Sequence, residues 1–274
     1  MSVHPAQALL SSFSDEGATD VTCHIGSWPF RLGAAATVAD LRSYAARHGL
    51  RRLWVSHFAC LFGFDTRTGN EEVLSACGGD DLFRVFAVVN PLETTWHTEM
   101  DWALAQGAAG VRTAPSTLGH PLAAAIPLAR ACRERDVPLQ VLIRLDDARV
   151  RHRLNPLDDP TPHDVAEFLR ETAGTRVVIS GLRWEERSEV AMHLADGVPA
   201  DVAFDLWHVN GPFRVADQLA ADPHRWVFGS GFPVQTPQAT MLQLAASDLD
   251  AGVRRAITVD NAAAVLGDAV RSDR

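Results

Sequence analysis

The sequence contains no lysine: all 25 basic residues among its 274 are arginine. That excludes a Schiff-base lysine and a carboxylated-lysine bridge between two metals. Cysteine is scarce, and Cys23, Cys60, Cys77 and Cys132 form no CxxC pair, as in a reduced cytosolic protein. No apolar run approaches the roughly 18 residues of a membrane span. The opening stretch "MSVHPAQALLSSFSDEG" lacks the basic start and apolar segment of a secretory signal. A cytoplasmic protein with no membrane partner is expected. The net charge of −9 leaves no basic stripe for a phosphate backbone, so nucleic acid is not expected as a partner. A small anion remains compatible with that charge, and the sequence leaves homo-oligomerisation open.

What is present is a regular rhythm of short Val-, Ile-, Leu- and Phe-rich runs, each followed by an amphipathic stretch. Eight such runs stand at Thr19–His24, Arg52–His57, Phe83–Asn90, Ala108–Thr113, Pro138–Leu145, Arg176–Gly181, Asp201–Leu206 and Trp226–Ser230. Helix start signals lie between them, such as Thr37 before "VADLRSYAARHGL" and Thr161-Pro162 before "HDVAEFLRETAG". Eight strand–helix units predict an α/β fold, a single (β/α)8 TIM barrel, with any chemistry at the carboxyl ends of the strands. A doubly wound sheet is the rival, but no GxGxxG or Walker loop follows a strand. Residues 1–18 read as an N-terminal extension and 19–274 as the barrel, since no linker or repeat divides the chain.

The strand ends gather His24, His57, Asn90, Arg112, Arg144 with Asp146 and Asp147, Arg183, Asp205 with His208, and Ser230. Charged groups are seldom buried without partners. Two readings follow: a structural ring of ion pairs, or a pocket in which guanidinium forks hold a carboxylate or phosphate. The stretch "IRLDDARVRHRLNPLDD", Ile143 to Asp159, is either a solvated loop or a lid in which Arg144, Arg149 and His152 reach over the mouth, oriented by Asp146 and Asp147. Trp28 and Pro29 are candidates for an apolar wall. Cys23 should point away from the face shared by Thr22 and His24.

Five segments, "TDVTCHIGSWPFR", "VVNPLE", "GAAGVRTAP", "FGSGFPV" and "ITVDNAAAVLG", resemble in place and order those of the amidohydrolase-related TIM-barrel family of the amidohydrolase superfamily. The resemblance runs from about Thr19 to Gly267. It implies a metal held by an HxH pair ending the first strand, a His on each of the fifth and sixth strands, and an Asp on the eighth. Here the HxH positions hold Thr22 and His24. Arg144 stands near the fifth-strand His, and Gly181 at the sixth. The family's "GSDFP" has become Gly229-Ser230-Gly231-Phe232-Pro233.

A catalytic zinc ordinarily takes three protein ligands and a water. One remaining His does not supply them, and Gly231 cannot accept a proton. The chain is therefore read as a divergent member with no metal and no cofactor. Metal-independent lactonases of the family bind dicarboxylates with Arg and His but are expected to keep the eighth-strand Asp, so the resemblance to them supports an anion clamp better than the hydrolytic step. The expected function is metal-independent hydrolysis or elimination on a small anionic, carboxylate-bearing substrate. His24, His57 and Asp146 are the catalytic candidates, and Arg112, Arg144, Arg149, His152 and His208 bind the substrate. The alternatives are a non-catalytic anion-binding protein and a relocated metal site built from His24, His57, His208 and Asp205. An Asp restored at Gly231 is expected to fit the backbone.

Overall fold

The computed structural model describes residues 4–62, 65–149, 151–153, 158–209 and 215–268. Eight parallel strands follow the predicted runs: β1 (Thr19–Ser27), β2 (Arg52–His57), β3 (Phe83–Val88), β4 (Gly110–Thr113), β5 (Leu139–Leu142), β6 (Val177–Ser180), β7 (Val202–Asp205) and β8 (Trp226–Val227). Each pairs with the next in sequence. The ring closes where Val21 N–H donates to Phe228 O at 3.0 Å and His24 N–H to Phe232 O at 3.0 Å. The chain forms a TIM barrel, and its apolar runs are continuous because parallel strands are covered by helices on one side and by the barrel interior on the other.

Local chemistry sets the helix starts. Thr37 caps Val38–His48 and Thr161 caps Pro162–Glu171, each in a reciprocal capping box with the Asp three residues on. The N-terminal segment is less peripheral than the sequence suggests. Pro5–Ser14 forms a helix beside Pro237–Ala246, and its buried Phe13 lies 5.0 Å from the Phe228 ring.

Two departures from the barrel rhythm shape the mouth. β1 runs past the rim to Ser27 and pairs antiparallel with Ala35–Ala36, so residues 28–34 fold back as a loop beside the strand ends. β8 ends early, at Val227. Beyond it, Ser230 Oγ and Ser230 N–H both donate to Asp20, at 2.5 and 3.0 Å. Tyr44 OH donates to the same carboxylate at 2.7 Å. This buried triad replaces ladder bonds with side-chain bonds, and it anchors the Gly-Ser-Gly turn to the first strand.

Candidate functional site

The barrel interior holds a continuous polar network. The Arg112 side chain, wholly buried, donates from Nε and Nη2 to Gln140 Oε1 at 2.9 and 2.6 Å. Its Nη1 donates to Ser56 Oγ at 2.8 Å and Cys23 O at 3.3 Å, and Nη2 to Val21 O at 3.0 Å. Gln140 Nε2 donates to Ser180 Oγ at 2.8 Å and Thr22 Oγ1 at 3.2 Å. Thr22 in turn donates to Asp205 Oδ2 at 2.7 Å. Burial pushes Asp205 up to about 6, against the hydrogen bonds from Ser180 and Thr22.

His24 lies beside this network, with Nε2 3.4 Å from Arg112 Nη1. Burial, and then the Arg112 charge, hold its imidazole well below the usual range. Phe58 stacks on the His24 ring at 4.5 Å between centroids. Phe58 belongs to an apolar layer with Trp28, Leu142, Leu145, Trp207 and Val234 that lies across the strand ends. This layer separates His24 and Arg112 from the mouth.

Above the layer is a pocket of about 550 Å³, lined by Trp28, Phe30 and Trp207 as aromatic walls and by Arg31, Asp146, Asp147, His152 and His208 among its polar groups. Gln235, Thr236 and Thr240 complete the polar side. His208 is pushed down to about 4, by burial and then by the Arg144 charge, so its ring is neutral at pH 7. Asp147 is held low by hydrogen bonds from Arg149. Asp146 accepts from Arg151 Nε at 2.8 Å. Arg31 donates to Val234 O at 2.5 Å, and among the described residues no carboxylate forms a salt bridge with it.

The expected site residues are thus divided. Asp146, His152 and His208 line one pocket, with Arg149 at its edge on Asp147, Nη2 to Oδ2 2.6 Å. Arg112 and Arg144 were expected at the mouth, and the structure places neither there. Arg112 is engaged inside the barrel. Arg144 donates to Asp159 at 2.8 Å and to Glu186 at 2.5 and 2.8 Å. Both lie in buried networks because their guanidinium groups find acceptors before they reach solvent. His24, expected as an acid/base group, is sealed below Phe58. His57 caps the turn Phe58–Leu61 through Nδ1, which accepts from Ala59 N–H at 3.0 Å, and its Nε2 lies 3.4 Å from Glu72. In the loop after β5, residues 150 and 154–157 lie outside the described residues. Cys23 packs in the core with the outward-facing side chains, as its alternation with Thr22 and His24 requires.

Sequence reasoning missed Arg31 and Trp207. Arg31 stands at the end of "GSWPFR" and gains meaning only when the hairpin beyond β1 folds over the mouth. Trp207 follows Asp205 by two residues, a spacing that places it on the inward face.

The family model for amidohydrolases matches residues 26–267. The chain belongs to the amidohydrolase family. No curated protein matches it in sequence. Among solved structures, this family member is similar to 2,6-dihydroxybenzoate decarboxylase complexed with 2,6-dihydroxybenzoate, at a TM-score of 0.67 and 14% identity over 92% of this chain and 98% of that one. A 5-carboxyvanillate decarboxylase from Novosphingobium aromaticivorans, with bound manganese, gives 0.67 and 12% over 93% and 98%. An uncharacterized TIM-barrel protein from Bordetella bronchiseptica gives 0.67 and 15% over 92% and 98%.

The metal recorded in such a relative does not fit the donor set of this family member. Thr22 is committed to Asp205. Leu142, the inward residue ending β5, is apolar and belongs to the sealing layer. Gly181 and Gly231 offer no side chain. The alternative relocated set of His24, His57, His208 and Asp205 is not assembled: among the described residues, no three His, Cys, Asp or Glu side chains are grouped to hold a metal ion.

Proposed function

We propose that this amidohydrolase-family protein binds a small, planar, carboxylate-bearing molecule in the mouth pocket, and that it does so without a metal. The observation that carries this reading is the closed layer beneath the pocket. With Phe58 over His24 and Trp207 over Gly231, the usual centre of the barrel is filled, and about 550 Å³ of aromatic-walled space lies above it. Trp28, Phe30 and Trp207 suit the faces of a flat ring. Arg31 provides a guanidinium with no carboxylate partner among the described residues, whereas Asp146 and Asp147 of the same pocket are carboxylates already paired with arginines. The ligand carboxylate is thereby oriented toward Arg31. Similar structures hold substituted benzoates, including 2,6-dihydroxybenzoate and 3-methoxy-4-hydroxy-5-nitrobenzoic acid.

A second reading, catalysis, rests on His208. Its ring lines the pocket and is neutral at pH 7, a weak base there because burial and the Arg144 charge disfavour its protonated form. The same ligand would then be a substrate, with His208 in the acid/base role expected of His24.

Titration of the protein's tryptophan fluorescence with hydroxybenzoates and with the matching neutral benzamides tests the proposal. Saturable quenching by the acids, at least about tenfold tighter than by the amides, is expected. No saturation by any acid at millimolar concentration would overturn it. Product formation from a bound acid that disappears in His208→Gln would favour the second reading.

A further inference from the structure

We propose that the Arg112 guanidinium is the resident cation of this barrel, standing beside His24, the one position of the metal set implied by the family resemblance that still carries a ligating side chain. The inference goes beyond ligand binding at the mouth and does not depend on it.

Three observations carry it. The first is position. Arg112 extends from β4 across the lumen to Val21 and Cys23 of β1, Ser56 of β2 and Gln140 of β5. It lies beside His24, the one residue of metal-ligating type retained at the family's positions, with 3.4 Å between nitrogens. A second cation placed on His24 would meet the guanidinium at contact distance.

The second is saturation. Nε is held by Gln140, Nη1 by Ser56 and Cys23, and Nη2 by Gln140 and Val21. Both guanidinium nitrogens and the Nε are therefore engaged, and the Phe86 ring covers the group at 5.7 Å. A wholly buried charge is tolerable only with such complete pairing.

The third is charge balance. Gln140 passes the contact to Thr22 and Ser180, and both of these bond Asp205, the carboxylate at the far end of the network. Thr22, at an HxH position, is thus part of a relay between a fixed cation and a buried acid. The fork geometry explains why arginine serves here: a single ammonium could not reach acceptors on three strands at once.

Elemental analysis and thermal unfolding of the full chain test the proposal. Wild-type protein purified without chelator should carry fewer than about 0.1 metal ions per chain, where a structural or catalytic site would hold one. Its melting temperature should move by no more than about 1 °C with EDTA, manganese or zinc.

Arg112→Ala should lower the melting temperature by about 10 °C, as loss of a buried charge network predicts. Ethylguanidinium at about 10 mM should recover part of that loss, and ethylammonium none, because only the former refills the fork. If Arg112→Ala yields no folded protein, Arg112→Lys takes its place and should still melt well below wild type. One metal per chain with destabilisation on chelation, or Arg112→Ala or Arg112→Lys melting with wild type, would overturn the proposal. Equal recovery by both amines would do so too. None of these readouts involves the mouth pocket, so failure to bind a benzoate leaves them untouched.

Discussion

The indole of Trp207 occupies the space into which a side chain at Gly231 would project. A Cβ built on Gly231 falls 1.5 Å from Trp207 Cε3 and 2.0 Å from Cζ3, and Gly231 has φ +69°. The glycine and the tryptophan are therefore two halves of one feature. The expectation that Asp would fit at this position fails, because the large ring two residues past β7 needs the missing side chain.

Gly231→Asp should destabilise the fold by roughly 2 to 5 kcal/mol, from overpacking plus a left-handed backbone in a residue with a Cβ. Trp207→Gly should make room, so the double variant should lose less than the sum of the single losses. Chemical denaturation of the four proteins gives the coupling. Strictly additive losses would mean that the two positions do not contend for the same space.

Arg31 and Arg144 should separate binding from stability. Arg31→Met is expected to weaken an aromatic acid about tenfold, or ~1.4 kcal/mol, with stability changed by less than about 1 kcal/mol. Arg144→Met strips a buried partner from Asp159 and Glu186, so it should cost about 3 to 5 kcal/mol of stability and leave affinity nearly unchanged. Titration and denaturation of both variants decide the point. The assignment fails if Arg144→Met lowers affinity and Arg31→Met does not.

Stability should depend on pH through buried groups that act in opposite senses, Asp205 and His208 among them. The Asp205 carboxyl is raised from 3.8 to about 6, so its stabilising contribution is fully present below about pH 4 and lost as pH rises through 6. The His208 imidazole is lowered from 6.5 to about 4, so its contribution is fully present above 6.5 and lost as pH falls through 4. Between these limits the two offset each other, and His24, also depressed, adds to the acid side. Asp205→Asn removes the opposing group. Its loss of stability between pH 7 and 4.5 should exceed that of wild type by about 2 kcal/mol, measured by urea denaturation at both values. Parallel losses in the two proteins would show that Asp205 does not titrate in this range.

All eight strands begin within two residues of where the apolar runs predict them, and β8 begins at Trp226 as expected. Such runs are a local property of the chain, as are the capping boxes at Thr37 and Thr161. Strand ends were less legible. The run Trp226–Ser230 continues in sequence, whereas β8 stops at Val227 because Asp20 and Tyr44, distant in the chain, take over the bonding of the turn.

By itself, then, the sequence determined the barrel, the family resemblance and the absence of the family's metal donors at Thr22, Gly181 and Gly231. The barrel follows from short-range periodicity, and the missing donors from the residues that stand at the positions the family resemblance implies. Only the tertiary structure decided which charged groups meet. Arg112 and Arg144 end neighbouring strands, yet one closes the barrel core and the other an ion-pair network, while Arg31 from the first hairpin comes to line the mouth. The reason is the reach of a long side chain. A guanidinium extends far enough to choose among acceptors on several strands, and those acceptors are set by the packing of the whole barrel rather than by the strand that carries the arginine.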